Sequence, residues 1–216
     1  MTQKFHDQLE ALRTDTARMG ALARSLLLEG VQSLVDLDAR LADDVVKRDQ
    51  ELNRLDVQIE RDALDLLALN QPMAAALRTL GATLKMITYL DRIGRYGYDV
   101  ALVTKQMKDQ THPRKLVTIP HMAKLAAQMV QDAVDAYTNR DLQKARGVFP
   151  QDELVDALND EIFRECVTYM VEDPRTIGVY AHYILVARHL ERAGDNANKI
   201  AEKVVYMITG ERRLTL

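Results

Sequence analysis

Carboxylates spaced four residues apart are the side chains of this chain whose types and spacing best suit chemistry. Asp152 and Asp156 form one such pair, and Glu191 and Asp195 form another. Residues four apart share one face of a helix, so each pair would present two carboxylates side by side. Like charges in that position repel each other, and a bound cation removes the repulsion. Because oxygen-only ligands favour hard or borderline ions, the four acids predict a metal site.

A weaker version of the same arrangement lies about a hundred residues earlier. There Asn53 replaces an acid, and Arg95 occupies the position equivalent to Asp195. Arg95 would itself neutralise Asp91, so a salt bridge can substitute for a metal ion. We therefore predict one competent site and one degraded site. The acids of the degraded site are Asp49, Asp91 and Asp99, with Asp56 nearby.

Two interpretations of these acids depend on the helix face on which they lie. They could form a metal site, or they could lie at a solvent-exposed end of a helical bundle, where their charges need no bound ion. Glu191 and Asp195 continue an apolar stripe begun by Ile177 and Ile184. Acids that continue an apolar stripe are expected to lie away from the solvated face. Asp152 and Asp156 relate in the same way to the apolar residues that follow them on their own helix, which are Phe163, Val167 and Met170.

The acids belong to an internal repeat. The phrase Leu90-Asp91-Arg92-Ile93-Gly94-Arg95 recurs as Leu190-Glu191-Arg192-Ala193-Gly194-Asp195. Upstream, a constant offset of 103 pairs Met19 with Met122 and Leu22 with Leu125, and downstream the offset becomes 100. This spacing predicts a tandem duplication of a helical unit that is longer than the common solenoid repeats.

Composition and periodicity predict an all-α fold. Hydrophobic residues make up 47% of the chain, and 9 Gly and 5 Pro leave few interruptions, which suits long helices. We predict two tandem antiparallel three-helix bundles, over residues 1–108 and 114–216, related by the duplication. Pro150 is expected to kink or restart the fifth helix. The predicted helices run over about 5–36, 38–69, 73–107, 114–138, 141–171 and 175–209, with Gly210 as the last cap.

Several classes of protein are disfavoured by the sequence. The net charge of −3 argues against a nucleic-acid binder, and no run of about 18 apolar residues predicts a membrane span. The first six residues lack the apolar core of a signal peptide, so we expect a cytoplasmic protein. Cys166 lies among apolar residues and is expected to be buried and unreactive. The chain has no phosphate-binding Gly-rich loop and no Ser/His/Asp signature.

Three phrases resemble the PhoU family of phosphate-signalling proteins. They are Asn70-Gln71-Pro72, the stretch from Thr168 to Ile177, and the stretch from Leu190 to Ala201. The resemblance covers essentially the whole chain. It implies two three-helix bundles that carry Glu/Asp-x-x-x-Asp motifs for metal ions, a pattern met fully by the later four acids and only in part by the earlier ones.

The resemblance also implies a function. The protein would be a negative regulator of the phosphate-starvation response, without catalytic turnover. It would connect the ATPase subunit of a phosphate ABC importer to a sensor histidine kinase at the inner membrane, and it would form a homodimer. The expected cofactors are divalent or trivalent metal ions, namely iron, zinc, manganese or magnesium.

Two alternatives remain open from sequence. One is a carboxylate-bridged metal enzyme of the helical-bundle type, such as a di-iron oxidase, although such sites use Glu-x-x-His pairs that these acids lack. The other is a helical scaffold without metal.

Overall fold

The chain folds into long helices that form two three-helix bundles. The computed structural model describes residues 3–211. The start of the first predicted repeat, residues 1–2, and the end of the second, residues 212–216, lie outside this range. No strand occurs among the described residues. A single 3-10 turn, Pro174–Thr176, precedes the last helix. The helices are α1 (Gln3–Asp36), α2 (Ala39–Asn70), α3 (Ala74–Gln106), α4 (Thr118–Asn139), α5 (Leu142–Glu172) and α6 (Ile177–Thr209).

Two predicted helix starts are wrong. The fourth helix begins at Thr118 rather than at residue 114, because the non-helical connection between the repeats is four residues longer than predicted. The last helix begins at Ile177, since Pro174 starts a separate 3-10 turn whose backbone is capped by the Asp173 carboxylate. The fifth helix is continuous through Pro150, so of the two predicted outcomes the restart does not occur. Pro150 is exposed, so water can satisfy the carbonyl that its ring leaves free.

The turns between the first two helices of each repeat have the same geometry. Leu37 and Arg140, which are 103 residues apart, both adopt left-handed backbone angles, with φ of 52° and 54°. The next residue in each repeat, Asp38 or Asp141, caps the following helix through its side chain. Asp38 N donates to Ser33 O at 2.8 Å, and Asp141 N donates to the equivalent carbonyl of Ala136 at 2.9 Å. The duplication seen in the sequence therefore extends to backbone conformation.

The helices of each repeat pack closely, in places backbone to backbone. Helices α1 and α3 cross at Gly30 and Gly97, where a Cβ on Gly97 would overlap the backbone of Leu26. The mid-helix glycines of the repeated phrase also lie at crossings. A Cβ on Gly94 would overlap the Leu52 side chain, and one on Gly194 would lie 3.3 Å from Val155 Cγ1.

Part of the apolar stripe that was expected to point into the core on the last two helices faces solvent instead. Phe163 is 51% exposed, Val167 40% and Ile177 48%. Met170 and Ile184 of the same stripe are partly buried and pack on the core. The fully buried residues of α5 include those one position earlier than the exposed ones, Ile162 and Cys166. Both sets have helical spacing, so periodicity alone could not distinguish them, and the prediction was wrong for Phe163, Val167 and Ile177.

The two repeats share one continuous core. Helix α3 packs on α6, and α1 packs on α4, which gives the chain an approximate two-fold axis. Across this interface Thr83 Oγ1 lies 2.5 Å from Tyr137 Oη, and Arg78 Nε donates to Met207 O at 3.2 Å. Within residues 3–211, no helix combines the length and the apolar character that crossing a bilayer requires.

Candidate metal centre

The four acids predicted as the competent site lie together in the groove between α5 and α6. Asp152 and Asp156 come from α5, and Glu191 and Asp195 come from α6. Asp152, Glu191 and Asp195 are partly buried, whereas Asp156 is exposed. Gly194 brings the two helices close here, since a Cβ on it would lie 3.5 Å from Asp152 Oδ1.

These carboxylates repel one another. Burial is the main cause that raises the pKa of Asp152, and the charges of Asp156 and Asp195 raise it further. Burial and the charge of Asp195 also raise the pKa of Asp156 and of Glu191. The raised pKa values mean that the folded protein resists the ionisation of its own acids, which a bound cation would relieve.

Two side chains partly offset this repulsion. Asn198 Nδ2 donates to Asp152 Oδ2 at 2.6 Å, and Arg188 Nη1 pairs with Glu191 Oε1 at 2.7 Å. The other carboxylate oxygen of Glu191, Oε2, is buried without a hydrogen-bond partner. Such an orphaned, negatively charged oxygen fits a cation, and a carboxylate donor set fits the hard or borderline ions.

The acids do not form a finished coordination shell. Across residues 3–211, no three His, Cys, Asp or Glu side chains converge as they stand on a point where one metal ion could bind. Coordination would therefore require rotation of the side chains from α5 and α6 towards each other. The ligand set therefore stays a prediction.

The earlier acids lie at the equivalent place, between α2 and α3. Asp49 is 8% exposed and accepts from Asn53 Nδ2 at 3.4 Å. Arg95 lies among these acids, with Nη1 3.8 Å from Asp49 Oδ2 and Nε 3.5 Å from Asp99 Oδ1. Arg95 was predicted to neutralise Asp91. It instead forms ion pairs with Asp49 and Asp99, and its charge partly offsets, from a distance, the rise in the pKa of Asp91 that burial causes.

Burial raises the pKa of Asp49, and the nearby charge of Arg95 partly reverses that effect. Burial and the charge of Asp49 raise the pKa of Asp91. The pKa of Asp56 is raised by burial and by Asp91. Asp56 therefore belongs to the same electrostatic cluster as Asp49, Asp91 and Asp99.

Two other side chains that could in principle react or bind metal, Cys166 and His189, lie where packing explains them. Cys166 is buried, and burial raises the pKa of its thiol to about 11, which disfavours a nucleophilic role. His189 stacks on Tyr96 at a centroid distance of 5.7 Å, within the interface between α3 and α6. The contact of Asn198 with Asp152 was not predicted from the residues, although Asn198 lies three positions after Asp195 and hence on the same helix face.

Comparison with known proteins gives the family. The family model described as the PhoU domain matches residues 16–104 and 119–204, one match for each bundle. The chain belongs to the PhoU family. A relative in Caulobacter vibrioides, named phosphate-specific transport system accessory protein PhoU homolog, is 39% identical over 97% of this chain and 91% of its own length. A relative of the same name in Rhizobium meliloti is 35% identical over 95% of this chain and 87% of its own length.

Solved structures of PhoU proteins share the fold. The crystal structure of PhoU from Pseudomonas aeruginosa superimposes with a TM-score of 0.92 at 35% identity, covering 96% of this chain and 100% of that one. The phosphate transport system regulatory protein PhoU from Streptococcus pneumoniae gives 0.89 at 25% identity, covering 97% and 99%. The paired three-helix bundles are therefore the PhoU architecture over nearly the full chain.

Proposed function

We propose that this PhoU-family chain is a non-catalytic adaptor that represses the phosphate-starvation response. In this role it would bind the ATPase subunit of a phosphate ABC importer and a sensor histidine kinase at the inner membrane while remaining cytoplasmic itself. The observation that carries the proposal is the nearly full-length match to proteins named as phosphate transport accessory and regulatory proteins. An adaptor needs surfaces rather than a catalytic pocket, and the four acids of the second repeat are exposed or only partly buried.

The surface of the molecule supports a binding role. Both repeats expose large apolar side chains at equivalent positions, with Leu64 matching Val167 and Leu77 matching Ile177. Exposed apolar patches on soluble proteins commonly mark protein–protein contacts. The same patches support a homodimer, which light scattering at micromolar concentration should show as a mass of twice 24.5 kDa. A monomer mass under those conditions would contradict the dimer but leave the adaptor role open.

The acids of the second repeat would contribute a metal ion to this role. Asp152, Asp156, Glu191 and Asp195 would hold one or more divalent or trivalent ions, and the ion would supply positive charge that relieves their repulsion. The metal enzyme alternative is disfavoured because Asp156 is exposed and the other three acids are only partly buried, whereas di-iron enzymes hold their ligands in a bundle interior. Oxygen consumption by the metal-loaded protein above that of free metal would favour the enzyme.

A deletion strain tests the regulatory role. In phosphate-rich medium, loss of the gene should derepress phosphate-responsive transcription, and the wild-type gene should restore repression. Immobilised protein should also retain the importer ATPase or the sensor kinase from the same cells. Unchanged expression in the deletion strain, with neither partner retained, would refute the adaptor.

A further inference from the structure

Two equivalent aspartates, one in each repeat, have different charged neighbours. Asp49 in α2 and Asp152 in α5 are equivalent residues, and both face the third helix of their own repeat. On that third helix, three equivalent positions differ between the repeats, and at two of them the charge is reversed. The first repeat has Arg95, Tyr98 and Asp99, and the second has Asp195, Asn198 and Lys199.

In the first repeat these residues place a cation beside the aspartate. The guanidinium of Arg95 lies 3.8 Å from Asp49 Oδ2 and 3.5 Å from Asp99 Oδ1. Its Cζ also lies 4.1 Å from the centre of the Tyr98 ring. A guanidinium over an aromatic face, with a carboxylate at its edge, is held by cation–π attraction and an ion pair together.

In the second repeat, none of the three equivalent residues places a positive group in direct contact with Asp152. Asp195 adds a negative charge where Arg95 adds a positive one. Asn198 is uncharged and uses its amide to hold Asp152 at 2.6 Å. Lys199 acts on Asp152 only through its field, from an exposed position.

We propose that Arg95 is a tethered cation that closes the first-repeat site to metal ions, held in place by Tyr98 and Asp99. The proposal rests on the proposed metal site of the second repeat. Arg95 can be said to exclude a metal ion only if the equivalent residues of the second repeat bind one. It limits the protein's response to metal to the groove between α5 and α6. The groove between α2 and α3 keeps its charge whether or not metal is present.

The test uses a chain whose second site has been removed. Glu191→Ala with Asp195→Ala should abolish Mn²⁺ binding in equilibrium dialysis of the metal-free protein. Adding Arg95→Asp, Tyr98→Asn and Asn53→Asp to this background should restore about one Mn²⁺ per chain, since the first repeat then carries the oxygen ligands of the second. Circular dichroism and thermal melting of each variant report on folding.

In the matched control, Arg92→Asp replaces Arg95→Asp, and the background, Tyr98→Asn and Asn53→Asp are kept. The total change of charge is then the same, and Arg92 acts on Asp91 but is not among the charges that act on Asp49. This control should bind no Mn²⁺. Equal restoration by Arg92→Asp would show that added negative charge, rather than removal of the tethered cation, opens the site, and it would overturn the proposal.

A single substitution provides an independent arm. In the otherwise unchanged protein, Arg95→Gln removes the cation with little change in size and should add weaker Mn²⁺ binding to that of the second repeat. If the second repeat of the wild-type protein binds Mn²⁺ but neither Arg95 variant gains Mn²⁺ binding, the role of Arg95 is refuted and the second-repeat metal site is not. Wild-type protein that binds no Mn²⁺ would instead refute the metal site on which the proposal rests.

Discussion

At the scale of single residues, the left-handed turns store strain that glycine would remove. Leu37 and Arg140 hold φ of 52° and 54°, a region that costs a residue with a Cβ about 1–2 kcal/mol. Nothing in the sequence of either turn marks this conformation, because the usual glycine is absent. The predicted second and fifth helices nevertheless begin at Asp38 and Asp141, which cap α2 and α5 in the structure.

We expect Arg140→Gly to stabilise the protein by about 0.5–1 kcal/mol, because relief of strain exceeds the added entropy of the unfolded chain. Urea unfolding followed by circular dichroism measures the change. Asn139→Gly is the matched control, since Asn139 is the last residue of α4 and should lose stability on the same change. Arg140→Gly that destabilised the protein as much as Asn139→Gly would contradict the strain.

At the scale of helices, the crossing of α1 and α3 depends on one glycine. A Cβ on Gly97 would overlap the backbone of Leu26, which cannot move aside as a side chain can. We expect Gly97→Ala to cost about 2 kcal/mol or more of unfolding free energy, since overpacking forces the helices apart.

Gly81 provides a control on the same helix. A Cβ there would meet nothing within 4 Å, so Gly81→Ala should stabilise α3 by about 1 kcal/mol through helix propensity alone. Thermal melting of both variants decides between the two effects. If Gly97→Ala also raised the melting temperature, the close crossing would be wrong.

The connection between the repeats is fixed by His112. Its Nε2 lies 2.9 Å from Leu34 O and 3.1 Å from Val35 O, and its Nδ1 lies 2.5 Å from Tyr183 Oη. Carbonyls only accept, so Nε2 donates to them, and Nδ1 is left to hydrogen-bond with the tyrosine hydroxyl. By the two-fold relation, Leu34 and Tyr183 correspond to Tyr137 and Thr83, which hydrogen-bond to each other directly. The Leu34 side chain has no polar atom, so His112 instead links the Leu34 carbonyl to the Tyr183 hydroxyl.

His112→Ala should destabilise the protein by about 1–3 kcal/mol, because it leaves the buried Tyr183 hydroxyl and a carbonyl at the end of α1 without this partner. The exposed His121 provides the control, and its replacement by alanine should change the unfolding free energy by less than about 0.5 kcal/mol. Equal effects of the two substitutions would show that His112 does not fix the connection.

Helix number and order were predictable, because long periodic segments and proline-containing breaks are strong signals. The orientation of α5 was not. Its exposed stripe of Phe163 and Val167 has the same spacing as its buried stripe of Ile162 and Cys166, so a rotation of one residue was invisible in the sequence. Similarly, the spacing of the acids predicted their neighbourhood but not the contacts of Arg95 with Tyr98 or of Asn198 with Asp152.

At the scale of the whole molecule, the two acid clusters set the pH dependence of stability. Ionising an acid whose pKa is raised in the folded state destabilises that state. Stability of the metal-free protein should therefore fall as pH rises from the ordinary values, 3.8 for Asp and 4.5 for Glu, through the raised folded values. Asp43 and Asp173 have lowered pKa values and act in the opposite direction, but solvent screens both, since Asp43 is exposed and Asp173 partly exposed. The acids with raised pKa values are Asp49, Asp56, Asp91, Asp152, Asp156 and Glu191.

Urea unfolding in EDTA across this pH range measures the effect. Asp91→Asn with Asp152→Asn should flatten the decline, since each change removes one mutually repelling charge from its cluster. A wild-type protein whose stability instead rose steadily from acid to neutral pH would show that the clusters do not dominate.

The contact between Tyr96 and Asn196 bears on how such a chain can arise. Asn196 Nδ2 lies 3.4 Å from Tyr96 Oη, and the two residues occupy the same position in the two repeats. A residue that meets its own counterpart lies beside the two-fold axis. In an assembly of two separate, identical halves, that place would hold two tyrosines or two asparagines. Joining the halves in one gene lets each partner mutate alone, so an unlike pair at the axis is an advantage available only after fusion.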